Sequence, residues 1–269
     1  KNKPIQIGTS GNWKSISTGT LYTLAIKNDG TLWGWGLNNN GQLGDGTNTN
    51  KSTPVQIGTE TNWYKVNACL SHSLGIKTDG TLWAWGSNDN GGLGDGTLIN
   101  RNSPVQIGVN SDWKDIAGGT YYSLAIKTNG TLWGWGAAIP GNYQLGSGSN
   151  SVIPVQRGVD TDWSAISSDR NHVLAIKSNG TLWSWGTNAY GQLGNGTLAS
   201  SLFTQIGNKT WKKVFATSNH SLGIRQDGTL WSWGLNDNGQ LGDGSTVNKS
   251  NPVQVGSEND WADIAGGEL

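Results

Sequence analysis

A seven-residue stretch, Gly-Thr-Leu-Trp-x-Trp-Gly, occurs five times in this chain, at Gly30–Gly36, Gly80–Gly86, Gly130–Gly136, Gly180–Gly186 and Gly228–Gly234, with Gly, Ala or Ser at x. No other feature narrows the possible folds as far. Ten of the sixteen tryptophans lie in these copies: Trp33, Trp35, Trp83, Trp85, Trp133, Trp135, Trp183, Trp185, Trp231 and Trp233. The other six, Trp13, Trp63, Trp113, Trp163, Trp211 and Trp261, are spaced by 50, 50, 50, 48 and 50 residues. Every tryptophan thus belongs to the period, and none is left to mark a special site. A fixed period near 50 residues describes units that bury their apolar faces only against their neighbours.

Each unit reads as four short strands. In the first, Trp13-Lys-Ser-Ile-Ser is one strand and Tyr22–Lys27 a second, with Leu24 and Ile26 on one face by period two. Asn28-Asp-Gly30 is a tight hairpin turn, because Asp-Gly and Asn-Gly accept the positive φ that such turns need. Leu32–Trp35 is the third strand, and a polar loop over Asn38–Thr47 follows it. Pro54–Ile57 is the fourth strand, its proline placed where a missing N–H donor is tolerated. No helical periodicity of any length is present. Four antiparallel strands per unit predict an all-β chain of propeller blades. A parallel solenoid is the alternative at this period, and the repeated tight hairpins favour meandering blades. In the third strand the two tryptophans share one face and small residues the other (Gly34, Ala84, Gly134, Ser184, Ser232), which suits blades stacked large against small.

These motifs carry a resemblance. The runs Gly-x-x-x-His-Ser-Leu, Gly-Thr-Leu-Trp-x-Trp-Gly and Asn-x-x-Gly-Gln-Leu-Gly-Asp-Gly-Thr are similar to those of the regulator of chromosome condensation repeat family, over essentially the whole chain. The resemblance implies a β-propeller, most often seven-bladed. Kelch repeats share the length but not the motifs, and WD repeats are shorter. The repeats run over 13–62, 63–112, 113–162, 163–210 and 211–260, with a partial sixth at 261–269, all in a single propeller domain spanning 1–269. Lys3–Gly8 matches Asn251–Gly256, and the segment at Trp13 matches that at Trp261, so the two ends encode the same part of the repeat. The expectation is a segment of a six- or seven-bladed ring rather than a closed five-bladed one.

Composition excludes several functions. Eighteen acidic and eighteen basic residues balance, no basic run occurs, and a nucleic-acid partner is not expected. No apolar stretch approaches the roughly 18 residues that a membrane helix needs. The single cysteine, Cys69, permits no internal disulfide. The chain lacks methionine, even at position 1, and reads as a processed or excised piece. Its Asn-, Thr-, Ser- and Gly-rich, charge-poor composition points to a secreted or cell-surface bacterial protein.

The candidate chemistry is sparse. His72, His172 and His220 occupy one repeat position, where the other units carry Tyr22 and Tyr122. One per blade forms a ring and not a converging ligand set, so a structural hydrogen bond within the blade is expected and no metal. Gly41–Gly46 lacks the lysine and the following helix of a phosphate loop and reads as a turn held by Asn and Asp side chains. No Ser/His/Asp or Cys/His set is visible, Cys69 reads as a small tolerated residue, and no catalytic residue or cofactor is expected.

The variation between repeats is more informative. The loop between the first two strands reads Ser17–Leu21, Asn67–Ser71, Ala117–Tyr121, Ser167–Asn171 and Phe215–Asn219, and it drifts while the flanking strands keep their pattern. Variable loops on a rigid scaffold are where binding resides. Leu21, Leu70, Tyr121, Asp169, Arg170 and Asn219 are the candidate contacts there. The third unit departs further: its loop Ala137–Gln144 is two residues longer than its counterparts, and Arg157 replaces an aliphatic residue. Tyr143 in that loop and Tyr190 in the next unit extend the candidate patch. The reading is a non-enzymatic scaffold that binds another protein through one loop face. A lectin-like propeller that stacks Tyr121, Tyr143 and Tyr190 on a glycan is the main alternative. The resemblance also admits guanine-nucleotide exchange on a small GTPase, but the charged loops which that activity uses are missing here. It admits a plant UV-B photoreceptor too, whose Gly-Trp-Arg-His-Thr motif this chain lacks.

Overall fold

The computed structural model describes residues 6–7, 11–138, 143–146 and 149–267. The paired segment at Lys3–Gly8 therefore lies largely outside the described residues, as do the four central residues, 139–142, of the extended loop in the third unit.

The described chain is a run of five four-stranded antiparallel blades in which each strand pairs with the next in sequence. The first blade contains β1 (Trp13–Thr18), β2 (Tyr22–Lys27), β3 (Leu32–Gly36) and β4 (Lys51–Ile57), and the second β5 (Trp63–Ala68), β6 (His72–Lys77), β7 (Leu82–Gly86) and β8 (Arg101–Gln106). The third contains β9 (Trp113–Gly118), β10 (Tyr122–Lys127), β11 (Leu132–Gly136) and β12 (Ser151–Gln156). The fourth begins with β13 (Trp163–Asp169), β14 (His172–Lys177) and β15 (Thr181–Gly186), and the fifth ends with β17 (His220–Arg225), β18 (Leu230–Gly234) and β19 (Lys249–Val255). One long strand, β16 (Ser201–Ala216), closes the fourth blade and opens the fifth, pairing with β15 on one side and β17 on the other.

That continuity differs from the two separate strands expected on either side of Trp211. The cause is a shorter connector. Gly207 precedes Trp211 by three intervening residues, whereas Gly58, Gly108 and Gly158 precede their tryptophans by four. The chain here has no slack to leave the ladder before it turns into the next blade. Phe203 also stands where other outermost strands carry Pro54, Pro104, Pro154 and Pro252, and its ring packs 4.6 Å from Trp185. Those four prolines lie on outermost strands, where a missing donor breaks no ladder bond.

Each β2–β3 hairpin closes as the Asp-Gly pattern predicts. Gly30 has φ +80°, its N–H donates to the Lys27 carbonyl, and Asp29 Oδ1 accepts from both the N–H and the hydroxyl of Thr31. The first strands of neighbouring blades pack on one another while the outermost strands do not, so the first strands lie nearest the common axis.

The core is the set of seams between blades. In the first seam Leu24, Ile26, Leu32, Leu43 and Ile57 of one blade pack against Trp63, Val66, Ala68 and Trp85 of the next. The indole N–H of Trp85 donates to the Gln42 carbonyl of the preceding blade at 2.9 Å, and Trp135, Trp185 and Trp233 repeat the contact onto Gly92, Gln144 and Gln192. In the second to fifth blades the second tryptophan of the motif therefore pins its blade to the one before. The first is only half-buried and is covered by the cation that ends the second strand. Lys77 Nζ, for example, lies 3.6 Å from the centre of the Trp83 ring.

Among the described residues the seam is missing at both extremes of the arc. Ile16 is 64% exposed, whereas its counterparts Val66, Ile116, Ile166 and Val214 are buried. At the other end Leu222, Leu230 and Val255 are half-exposed where the equivalent side chains of inner blades are covered. Among the described residues the first and fifth blades share no seam like those between successive blades.

Candidate functional site

An antiparallel meander places alternate connections at the same end of the sheet. The β1–β2 and β3–β4 loops of every blade therefore open on one face, and all eight candidate contacts lie there. Backbone bonds tie the two loop sets together: Leu37, Ser87, Ala137, Thr187 and Leu235 donate to the carbonyls of Leu21, Ser71, Tyr121, Asn171 and Asn219. The β1–β2 loops form an inner ring near the axis. The β3–β4 loops form an outer one, built on a buried asparagine (Asn38, Asn88, Asn188, Asn236) in every blade but the third, which has Ala138 there. Asn38 Nδ2 donates to Asp45 and to the carbonyls of Thr47 and Thr49, and its Oδ1 accepts from the Leu43 N–H. The Gly-Gln-Leu-Gly stretch is thus a folded polar turn.

The candidates are not equally available. Leu21 is 66% exposed, and Tyr121, Tyr143 and Tyr190 are 42%, 44% and 38% exposed. Leu70, Asp169, Arg170 and Asn219 are half-buried. Asp169 is turned inward, close enough to Cys69 and Tyr122 for its charge to act on both. Arg170 has φ +22°, and its N–H donates to the Asp169 carboxylate. The structure brings part of the set together at the junction of the third and fourth blades. The Thr120 N–H donates to the Arg170 carbonyl at 3.3 Å, and Gln144 Nε2 to Asn171 at 3.4 Å, so the loops carrying Tyr121, Tyr143 and Arg170 adjoin. Tyr190 lies farther out, where Gly191 meets Ser250 of the fifth blade.

Two readings need correction. Arg157 is 3% exposed and is not part of an exposed patch: its guanidinium donates to the carbonyls of Gly134 and Ser149 and holds the third unit's outer loop from within. His72 and His172 bond between blades and not within them, whereas His220 Nδ1 pairs with the Thr217 hydroxyl of its own blade, as expected. His72 Nε2 pairs with Ser123 Oγ, and His172 Nε2 with Ser221 Oγ, each at 2.9 Å. Burial holds both imidazoles neutral, with pKa values lowered to about 4 and about 3. Tyr22 serves the seam between the first and second blades through the His72 carbonyl and Ser73. Cys69 lies in a loop but is fully covered, and burial raises its pKa far above the ordinary thiol range. Among the described residues no group of three or more His, Cys, Asp or Glu is placed to hold a metal ion. Among the described residues no helix is long and apolar enough to cross a membrane. The spacing of repeats could not reveal which seam a histidine would serve, since blades in register offer a partner on either side.

Comparisons with known proteins agree with this geometry. The chain matches the regulator of chromosome condensation (RCC1) repeat over residues 29–76, 79–126, 179–224 and 227–268, together more than half its length. A second description of the same repeat matches 13–42, 65–91, 163–192 and 211–240. No curated protein sequence matches the chain. Among solved structures, human WBSCR16 superposes with a TM-score of 0.84 at 20% identity, covering 95% of this chain and 70% of that one. Yeast RCC1 (Prp20), in a crystal structure bound to Kap60, superposes with a TM-score of 0.82 at 23% identity, covering 95% and 66%. Saccharomyces cerevisiae Prp20p, studied with its binding to Gsp1p and histones, gives 0.61 at 19% identity, covering 91% and 77%. At these identities the likeness is one of fold, and the chain spans about two thirds of the first two.

Proposed function

The chain belongs to the regulator of chromosome condensation repeat family, and from that premise we propose that it is a non-enzymatic propeller scaffold whose loop face binds another protein. The observation that carries this reading is the uneven decoration of that face. Leu21, Tyr121, Tyr143 and Tyr190 are exposed on it at positions that differ from blade to blade, above seams that repeat nearly unchanged. A broad face with scattered aromatic anchors suits a protein surface. A lectin would call for one similar pocket per blade. The solved structures of yeast RCC1 with Kap60, and of Prp20p with its reported binding to Gsp1p and histones, support a protein as the class of partner. The charge-poor, Asn- and Thr-rich composition supports action outside a bacterial cell.

The test is a triple variant, Leu21→Ser, Tyr121→Ser and Tyr190→Ser, compared with the parent chain in a cross-linking screen against candidate partners. A partner held by the parent and lost by the variant, with melting unchanged, is the expected result. Exposed tyrosines also suit a glycan. Strong, specific binding on a glycan array that survives the triple change would overturn the protein-binding reading.

A further inference from the structure

The cation that ends the second strand of each blade has a recurring partner. Lys77 pairs with Glu60 at 2.6 Å, Lys127 with Asp112 at 3.1 Å, and Lys177 with Asp160 and Asp162 at 2.8 and 3.0 Å. In each case the carboxylate comes from the connector that enters the blade, and the cation lies over two tryptophans of the same blade. The fifth blade keeps the cation and lacks the carboxylate. Arg225 stands over Trp211 and Trp231, its guanidinium carbon 5.1 and 3.4 Å from the ring centres. Its connector is Gly207-Asn-Lys-Thr-Trp211, which has no acid and adds a positive Lys209. Among the described residues Arg225 makes no ion pair, and its Nε is buried without a hydrogen-bond partner. Asp227 acts on it only at longer range, because its Oδ1 is engaged by the N–H and hydroxyl of Thr229. Lys27 of the first blade also faces a connector without acids, partly outside the described residues, but a lysine offers a point charge and not a planar fork.

The same connector opens the surface beside this arginine. In all four other blades a connector carbonyl (Thr61, Ser111, Thr161, Asn259) sits where a Cβ on the hairpin glycine would be. At Gly180 the shortened connector leaves only the side chain of Thr210. A cleft of about 390 Å3 lies there, walled by Asn179, Thr210, Trp211, Lys212 and Gln226 among others. Arg225 adjoins it through Trp211, on which it stacks, and through Gln226, which follows it in the chain. Lys209 and Lys212 are both exposed. The result is a positive recess where each of the three preceding blades carries a neutralised pair.

We propose that this recess, at the junction of the fourth and fifth blades, binds an acidic peptide segment of a partner protein, whose carboxylate takes the place beside Arg225 that the connector acid takes in other blades. A carboxylate matches the guanidinium fork in two parallel N–H···O bonds, and the flanking lysines complement further negative charge. The site lies on the face opposite the loop face, since the β2–β3 hairpins and the inter-blade connectors share the other end of the strands. It stands or falls independently of the loop-face reading.

Thr210 provides a direct test. The Gln226 N–H donates to the Thr210 carbonyl just as the Thr128 N–H does to that of Asp112, so Thr210 holds the backbone position of an acid. Thr210→Asp should supply the missing carboxylate within the chain. The probe is a fluorescein-labelled octaglutamate peptide followed by anisotropy at low salt. The expected result is saturable binding that weakens at least tenfold in Thr210→Asp and in Arg225→Gln and is unchanged in the control Lys14→Gln. An octaglutamine peptide should not bind. Thr210→Asp should melt no lower than the parent, which keeps the test valid even if Arg225→Gln folds poorly. Equal affinity in parent and Thr210→Asp, no octaglutamate binding at all, or binding of inorganic phosphate without the peptide would each overturn the proposal.

Discussion

Gly44 shows how far single positions are constrained. Its φ is +82°, and a Cβ there would lie 2.8 Å from the Trp85 indole nitrogen of the next blade. Gly58 has φ +65° with nothing within 4 Å of its Cβ position. Gly58→Ala should therefore cost about 1 kcal/mol from backbone strain alone. Gly44→Ala should cost more, because the indole must also move, by roughly a further 1–3 kcal/mol of overpacking; urea melts of the two variants would measure the difference. Equal losses would mean that the Trp85 contact carries no strain. Cys69 makes a second residue-scale case. Its thiol is covered, and burial opposes the thiolate that alkylation requires. Iodoacetamide at pH 8 should leave the native protein unlabelled and label it fully in denaturant. The sequence showed a loop cysteine without basic neighbours but held nothing about what covers it.

At the scale of elements, the seams are where strand register becomes stability. The bonds from His72 to Ser123 and from His172 to Ser221 each join a second strand to its successor in the next blade. The folded pKa of His72, about 4, lies below the ordinary value of 6.5, so between those two the unfolded chain binds the proton that the native chain refuses. The contribution is therefore complete above pH 6.5 and is lost as pH falls toward 4, by about 3 kcal/mol for this residue. Stability measured by urea unfolding should decline over that window, and His72→Gln should flatten the decline without removing it, because His172 remains. A parent and variant with the same slope would show that the seam histidine is not protected from protons. Strand existence and order were readable from Trp spacing and the Asp-Gly and Asn-Gly turns. The continuous β16 was not, since whether a one-residue deletion shortens a loop or fuses two strands depends on the distance between blades.

For the whole molecule, each inner blade is covered on both sides and each extreme blade on one. Opening an inner blade breaks two seams at once, so its amides should exchange only in large openings. Hydrogen exchange should be slowest in β6, β10 and β14 and faster by at least tenfold in β2 and β17, whose outer seams are absent. Uniform protection across the five blades would mean that the extremes are covered in solution. The same one-sidedness bears on function. The loop face is assembled from two loops of each of five blades, and its continuity depends on the blades holding their angle to one another.

The period, the four-strand unit, the turns and the alternation of tryptophan against small residues were all set by the sequence alone. Each follows from local rules: turn geometry, period-two patterning, and the need to bury large indoles. The sequence also marked the loops that vary. Only the tertiary structure decided which of those residues share a face and which are turned inward, as Asp169 and Arg157 are. It alone showed His72 and His172 bonding across seams, and an arginine in the fifth blade left without the carboxylate that Lys77, Lys127 and Lys177 have. These facts depend on distances between residues about 50 positions apart, set by how one blade stacks on the next. A repeat specifies that stacking only through its average pattern, and the departures from the average appear once the blades are in contact.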